Sequence, residues 1–312
     1  MSETLRRSVV FMGTPQFAVP VLLSLFKVSD VVGVFSQPPA LTGRGKQLAR
    51  SAIHQCADSL KIDVFMPENF KDSNQIEILK RFNPDIIVVA AYGLILPKEV
   101  LSIPKLGCIN VHASLLPKWR GASPIQQSII TGDKITGVTL MKMSVGLDAG
   151  DIAMQESVSV PPIITAGMLS EILSHLGAAM MEKFMQSPKK YLEKTYPQDP
   201  SLATYAKKLT KLDGKICWND RAENIFNKIR GLNPWPCAWV YIGDKYVKLL
   251  ESEVIEASSN SNILPGTIID KDFSVKCKDS IIQIKTLCPS GGKAMSGKAF
   301  LNGHKYLALS VI

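Results

Sequence analysis

The sequence predicts a two-domain α/β protein: a mainly parallel sheet covered by helices, followed by a small antiparallel β-barrel. Three observations predict it. Up to residue 187, short apolar runs alternate with helical periods, as in successive βα units. A polar stretch with Pro188, Pro197 and Pro200 among Lys189, Lys190 and Lys194 follows, and it reads as a connector. Beyond it, one amphipathic helix gives way to several short strand-like runs. The expected boundaries are 1–187 for the first domain, 188–206 for the linker and 207–312 for the second domain. At 312 residues the chain is long enough to bury two cores.

Val9–Met12 reads as a buried first strand closed by Gly13. Thr14 is placed to cap a helix whose first position is Pro15, where a missing amide hydrogen costs nothing. Asp30–Phe35 is a second strand. Ile53, Cys56, Ala57 and Leu60 have helical spacing, as do Ile76, Leu79 and Phe82. Residues 84–91 are apolar almost throughout, as expected of a central strand covered on both faces. Cys108–His112 and Gly137–Met143 read as further strands, and Thr165 caps a long helix through Leu169, Ile172, Leu173, Leu176 and Met180. In the second domain, Arg221–Leu232 is the helix. The strands are Ala238–Ile242, Tyr246–Leu250, Thr267–Ile269, Phe273–Cys277, Ile281–Leu287 and Tyr306–Ile312.

Composition narrows the function classes. No apolar run approaches the roughly 18–20 residues of a membrane span, and the basic start of the chain lacks the apolar length and cleavage site of a secretory signal. A cytoplasmic protein with no membrane association is expected. Six scattered cysteines, none in a CxxC pair, point to reduced thiols and to neither a metal site nor a disulfide framework. The 36 Lys and Arg divide 20 before residue 207 and 16 from there on, whereas the 27 Asp and Glu divide 17 and 10. The last third of the chain therefore holds most of the net charge of +9, which suits either a polyanionic partner such as nucleic acid or a Lys-rich solvated face.

The first βα turn, Gly13-Thr14-Pro15, is not a dinucleotide-binding GxGxxG, and the chain has no Walker loop and no HExxH. The polar pair that stands out is Asn110 and His112. Their i, i+2 spacing points both side chains to one face of a strand, at the end where open α/β sheets bind ligands. A second polar cluster, Gly146-Leu147-Asp148-Ala149-Gly150-Asp151, follows the next strand. An amide, an imidazole and a carboxylate at one place suit acyl transfer to an amine, because the first two can stabilise a developing oxyanion and the third can accept a proton. Taken singly, a strand histidine is as well explained by a structural hydrogen bond, and Asp148 by turn formation.

The segment from Asn110 to Gly121 with Pro124-Ile125, and the pair Gly137-Val138-Thr139 and Gly146–Asp151, resemble the two core motifs of the folate-dependent formyltransferases. Phe11–Pro15, Ala91–Pro97 and Asn233-Pro234-Trp235-Pro236 are similar to the branch of that family that formylates initiator methionyl-tRNA. The resemblance covers nearly the whole chain. It implies a Rossmann-like catalytic domain, an OB-like β-barrel C-terminal domain that binds tRNA, 10-formyltetrahydrofolate as co-substrate and no metal. It also implies a monomer, catalytic roles for Asn110, His112 and Asp148, and folate binding by Ser114, Leu115, Leu116 and Pro117. Tyr92, Gly93, Leu94, Ile95, Leu96 and Pro97 would form part of the pterin pocket. In the resembled branch, a loop corresponding to residues 37–48 meets the acceptor end of the tRNA, which assigns Arg44 and Lys46 to tRNA binding. Here Pro39–Thr42 are uncharged where that loop carries charge, and Gln47 stands where a lysine is common. Three other readings remain open from residues alone: a formyltransferase acting on an amino-sugar nucleotide, a hydrolase of formyl-folate, and an RNA-binding protein with an inactive enzyme domain.

Overall fold

The computed structural model describes residues 6–42, 47–255 and 263–303, and it divides into two compact units. The first gathers the chain up to Pro124, Ile135–Val158 and Ser170–Ala206; the second gathers Ile125–Lys134, Ser159–Leu169 and the chain from Lys207 onward.

In chain order the first half supplies β1 (Ser8–Gly13), α1 (Val19–Val28), β2 (Asp30–Phe35), β3 (Ala40–Thr42), β4 (Gln47–Ala49), α2 (Ala52–Leu60) and β5 (Val64–Phe65). There follow α3 (Ser73–Arg81), β6 (Ile86–Ala90), α4 (Lys98–Leu101), β7 (Cys108–His112), β8 (Arg120–Gly121), α5 (Pro124–Ile130), β9 (Ile135–Lys142), β10 (Ile152–Ser159) and α6 (Ala166–Gln186). The first unit's sheet has seven strands in the order β10-β9-β7-β6-β1-β2-β5. All pairings reported from β7 to β5 are parallel, as the βα alternation predicts. β6 and β7 are buried at every position; β6 is accordingly apolar without alternation, whereas β7 carries the polar Asn110 and His112 between apolar residues. Val10, Met12, Phe35, Ile87 and Val89 from these strands pack with Phe70, Leu79 and Val100 into one core cluster.

Two local expectations change, and one strand gains a direction. Thr14 does not cap a helix: a 3-10 turn at Gln16–Ala18 precedes α1, and the Thr14 hydroxyl donates to the Tyr92 carbonyl at 2.9 Å. The same oxygen accepts from the Gln37 amide, so Thr14 ties together the chain ends leaving β1, β2 and β6. β9 joins β7 antiparallel, with Asn110 opposite Met141 and His112 opposite Thr139. The segment 188–206 contains α7 (Pro188–Leu192), a 3-10 turn at Pro200–Leu202 and β11 (Tyr205–Ala206), which pairs parallel with β8. Pro188 and Pro200, which suggested a connector, stand at the first turns of short helices that belong to the first unit.

The second unit contains α8 (Ala222–Gly231), β12 (Ala238–Ile242), β13 (Lys245–Ile255), β14 (Ser274–Lys276), β15 (Ile281–Pro289), β16 (Met295–Ser296) and α9 (Gly297–Gly303). Its sheet runs β12-β13-β15-β14 with β16 paired to β15, and all these pairings are antiparallel. Ile225 and Ile229, one turn apart on α8, are buried with Val240, Val247, Leu249, Ile282 and Ile284 of the sheet. Thr267–Ile269 contributes a single bridge, Ile268 to Val275, and not a strand. The expected strand Tyr306–Ile312 lies outside the described residues.

Candidate active site

β7 has two different faces. Val111 points to α6, where a Cβ on Gly177 would lie 2.8 Å from its Cγ1, so a glycine there permits close helix packing. Asn110 and His112 point the other way, and both are buried. Because β9 is antiparallel, it ends opposite the start of β7. The chain then turns through residues 143–150 and enters β10, with the Lys142 amide bonded to the Asp151 carbonyl at 2.8 Å. A Cβ on Gly150 would collide with the Lys142 carbonyl, so glycine is required for that turn to close. Asp148, in the left-handed region at φ 46°, brings its carboxylate to the Asn110–His112 face.

The structure thus brings the three expected catalytic residues together. Asn110 Nδ2 donates to Asp148 Oδ1 at 3.3 Å, and the Gly121 amide donates to Oδ2 at 2.9 Å. His112 Nδ1 stands 3.7 Å from Asp148 Oδ2, within ion-pair reach and beyond a hydrogen bond. The imidazole is held instead through Nε2, 3.0 Å from the Trp119 carbonyl. A carbonyl only accepts, so Nε2 carries a proton and Nδ1 is the nitrogen left for chemistry. Trp119 can aim its carbonyl there because it adopts φ 62° and its amide donates to Thr204 Oγ1 at 2.9 Å. Thr204 also accepts the Arg120 amide on its own carbonyl at 2.8 Å.

The expected folate segments leave adjacent strands at one sheet edge. Tyr92–Pro97 follows β6 and Ser114–Pro117 follows β7, with Val89 opposite Asn110. Tyr92 and Leu96 are buried and Leu94 is half-buried, whereas Ile95 is 92% exposed. The Tyr92 hydroxyl is buried and has no partner among the described residues, and burial pushes its ionisation up. Ser114 is wholly buried, and its hydroxyl donates to the Lys118 carbonyl. Thr139 Oγ1 donates to the Ser114 carbonyl at 2.6 Å and accepts from the Leu116 amide at 3.1 Å and from Gln155 Nε2 at 2.9 Å. These internal bonds fix the shape of the Ser114–Pro117 segment. Residues 43–46, including the expected tRNA contacts Arg44 and Lys46, lie outside the described residues; the flanking strands β3 and β4 pair antiparallel.

Several residues that matter here escape sequence reasoning: Trp119 and Gly121 through their backbone, and Thr139, Thr204, Arg120 and Gln198 through side chains. Among the described residues no cluster of three His, Cys, Asp or Glu could hold a metal ion, and no helix is long and apolar enough to cross a membrane. All six cysteines are free, and burial pushes the Cys108 and Cys277 thiols up to about 12.

Comparison with known proteins follows the two units. Residues 6–184 match the formyl transferase family, and residues 208–305 match the formyl transferase C-terminal domain. A curated protein of Rickettsia bellii (strain RML369-C) is 41% identical over 298 residues, covering 95% of this chain and 97% of its own length. One of Thermodesulfovibrio yellowstonii (strain ATCC 51303 / DSM 11347 / YP87) is 43% identical over 300 residues, covering 95% and 96%. Both are named methionyl-tRNA formyltransferase. Among solved structures, HypX from Aquifex aeolicus in complex with tetrahydrofolic acid superposes with a TM-score of 0.65 at 14% identity, covering 97% of this chain and 48% of HypX. An N-formyltransferase from Helicobacter canadensis, in complex with folinic acid and dTDP-3-aminofucose, gives 0.67 at 18% identity, covering 89% and 98%. At such identities these two structures show a shared fold.

Proposed function

The chain belongs to the formyl transferase family, and on that premise we propose that it moves the formyl group of 10-formyltetrahydrofolate onto the α-amino group of methionine carried by initiator tRNA. The observation that carries this reading is the extent of the likeness: relatives named methionyl-tRNA formyltransferase match through both domains, at 41% and 43% identity over 95% of the chain. The likeness to a sugar-modifying enzyme is below 20% identity and speaks for the fold alone. An RNA-binding protein with a dead enzyme domain would have no need to keep Asn110 and His112 within 3.3–3.7 Å of the Asp148 carboxylate.

The residues fit a folate co-substrate. Two chain segments at one sheet edge offer backbone groups beside the exposed Ile95 side chain, next to an amide and an imidazole. The bound folate would supply an activated formyl carbon. As the methionine nitrogen bonds to it, its bond to the folate nitrogen breaks, and that nitrogen takes up one proton, matching the one the amine sheds, as tetrahydrofolate leaves. Asn110 uses one Nδ2 hydrogen on Asp148; its second hydrogen, which no described residue takes, is available for the formyl oxygen as negative charge develops there. His112, with Nε2 fixed on the Trp119 carbonyl, presents Nδ1 to the same site and donates from it when protonated. Asp148 compensates that positive charge from 3.7 Å and receives the proton shed by the attacking amine, directly or through a water molecule. An α-amine titrates at roughly pH 8, so a useful fraction is already neutral and nucleophilic at pH 7 and no strong base is required. Positioning and oxyanion stabilisation therefore account for most of the acceleration.

Arg44 and Lys46 in the loop 37–48, together with the basic C-terminal domain, are the proposed contacts to the tRNA. The chain is read as a cytoplasmic monomer, in keeping with free cysteines and a tRNA substrate. Formyl transfer to methionyl-tRNA by the purified protein tests the activity, and Asp148→Asn tests the site. The substitution lowers kcat by roughly 10²–10⁴-fold with folate and tRNA binding kept within a few-fold; a variant with normal turnover contradicts the assignment.

A further inference from the structure

Gln198 is 7% exposed, sits in the stretch that composition reads as a linker, and makes more contacts to the Asp148 turn than any catalytic residue does. Its Nε2 donates to the Asp148 carbonyl at 2.8 Å and to the Gly150 carbonyl at 2.7 Å. Its Oε1 accepts from Arg120 Nε at 3.0 Å and Nη2 at 2.8 Å. Both amide hydrogens and both oxygen lone pairs are engaged, and the reverse amide orientation would set oxygen against two carbonyls. Arg120 is itself buried, 6% exposed, and it is the residue next to Gly121, whose amide holds Asp148 Oδ2. The relay therefore grips the catalytic turn from two directions: through the backbone on either side of Ala149, and through the strand that supplies the carboxylate's amide donor.

We infer that Gln198, locked by Arg120, is a positioning residue for formyl transfer that fixes Asp148 against Asn110 and His112. This rests on the function proposed above. Asp148 is in a left-handed backbone conformation, and its turn carries the exposed Val145 and Leu147, so little apolar burial holds the turn down. A fully saturated buried amide adds order on the backbone side of the turn, where Asn110 and the Gly121 amide hold only the carboxylate. A shift of about an ångström in the carboxylate would separate it from both Asn110 and the Gly121 amide, which is enough to slow a reaction that depends on alignment.

The substitution Gln198→Glu keeps the shape and the pairing with Arg120 while removing both donors to the turn. Steady-state formyl transfer, with wild type in the same assay, gives a kcat lower by roughly 10–100-fold and KM values for folate and tRNA within about threefold. In an Asp148→Asn background the same substitution has no further effect, because its action passes through that carboxylate. Hydrogen exchange of the folate-free protein supplies a readout independent of turnover. Gln198→Glu lowers protection of the Gly121 amide by at least about tenfold and leaves the Leu116 amide, bonded to Thr139, unchanged. Arg120→Lys, which offers Gln198 one donor in place of a fork, gives the same pattern more weakly and serves if Gln198→Glu does not fold. Equal loss of protection at Gly121 and Leu116, or additive effects with Asp148→Asn, overturns the inference and leaves the proposed function standing. A wild type that transfers no formyl group overturns both.

Discussion

His112 has two ring nitrogens, and the backbone engages one of them. The Trp119 carbonyl at 3.0 Å requires a proton on Nε2, so the neutral ring is the Nε2–H tautomer with Nδ1 toward Asp148. Nitrogen-15 NMR of the folate-free protein above the histidine titration is expected to show that tautomer; a neutral ring protonated on Nδ1 would contradict the geometry. The residues that come together at the candidate site are legible in the sequence because their signals are local. Asn110 and His112 stand two apart on an apolar strand, and Asp148 lies among glycines. What holds them is not legible. The Trp119 carbonyl and the Gly121 amide are main-chain groups, which any residue type supplies, and Gln198 lies 50 positions from its acceptor on Asp148. A polar side chain in a Pro- and Lys-rich stretch carries no mark of burial until the chain is folded. The Trp119 carbonyl holds the ring, and Asp148 faces its other nitrogen.

At the scale of elements, the antiparallel entry of β9 decides where the carboxylate goes. A parallel strand would end at the same edge as β7; an antiparallel one ends opposite Ile109 and needs the Gly146–Gly150 turn to bring Asp148 back. Periodicity reveals a strand and not its direction, so Gly137–Met143 could be read as an element but not oriented. The same limit explains why segment 188–206 reads as a linker although β11 pairs with β8. In the second unit, α8 begins where Asp279, from the turn before β15, accepts the Ala222 amide at 2.9 Å and Arg221 Nε at 3.0 Å. That amide and then the Arg221 guanidinium hold the Asp279 carboxyl below the usual carboxylate range. Because the folded-state value is depressed, the stabilisation is complete above about pH 4 and is lost as pH falls through the lower folded-state value. Asp279→Ala is expected to destabilise the second unit by about 0.5–2 kcal/mol at pH 7 in urea unfolding, with the difference from wild type shrinking below pH 4. A difference independent of pH would mean that the carboxylate does not act as a cap.

The whole molecule joins a catalytic sheet of nearly even charge to a basic antiparallel unit, and that asymmetry is plain from composition. That distribution of charge suits a substrate whose bulk is polyanionic. Both domains match their family counterparts, and the curated relatives share this organisation over nearly their full length. The solved structures, at 14% and 18% identity, speak for the fold alone, so the acceptor has to be tested directly. The most direct measurement compares kcat/KM for formyl transfer to initiator methionyl-tRNA, elongator methionyl-tRNA and an amino-sugar nucleotide, with the same formyl-folate and enzyme. The account predicts that initiator methionyl-tRNA is preferred over each of the others by at least about tenfold; equal or better transfer to the amino-sugar nucleotide would contradict it.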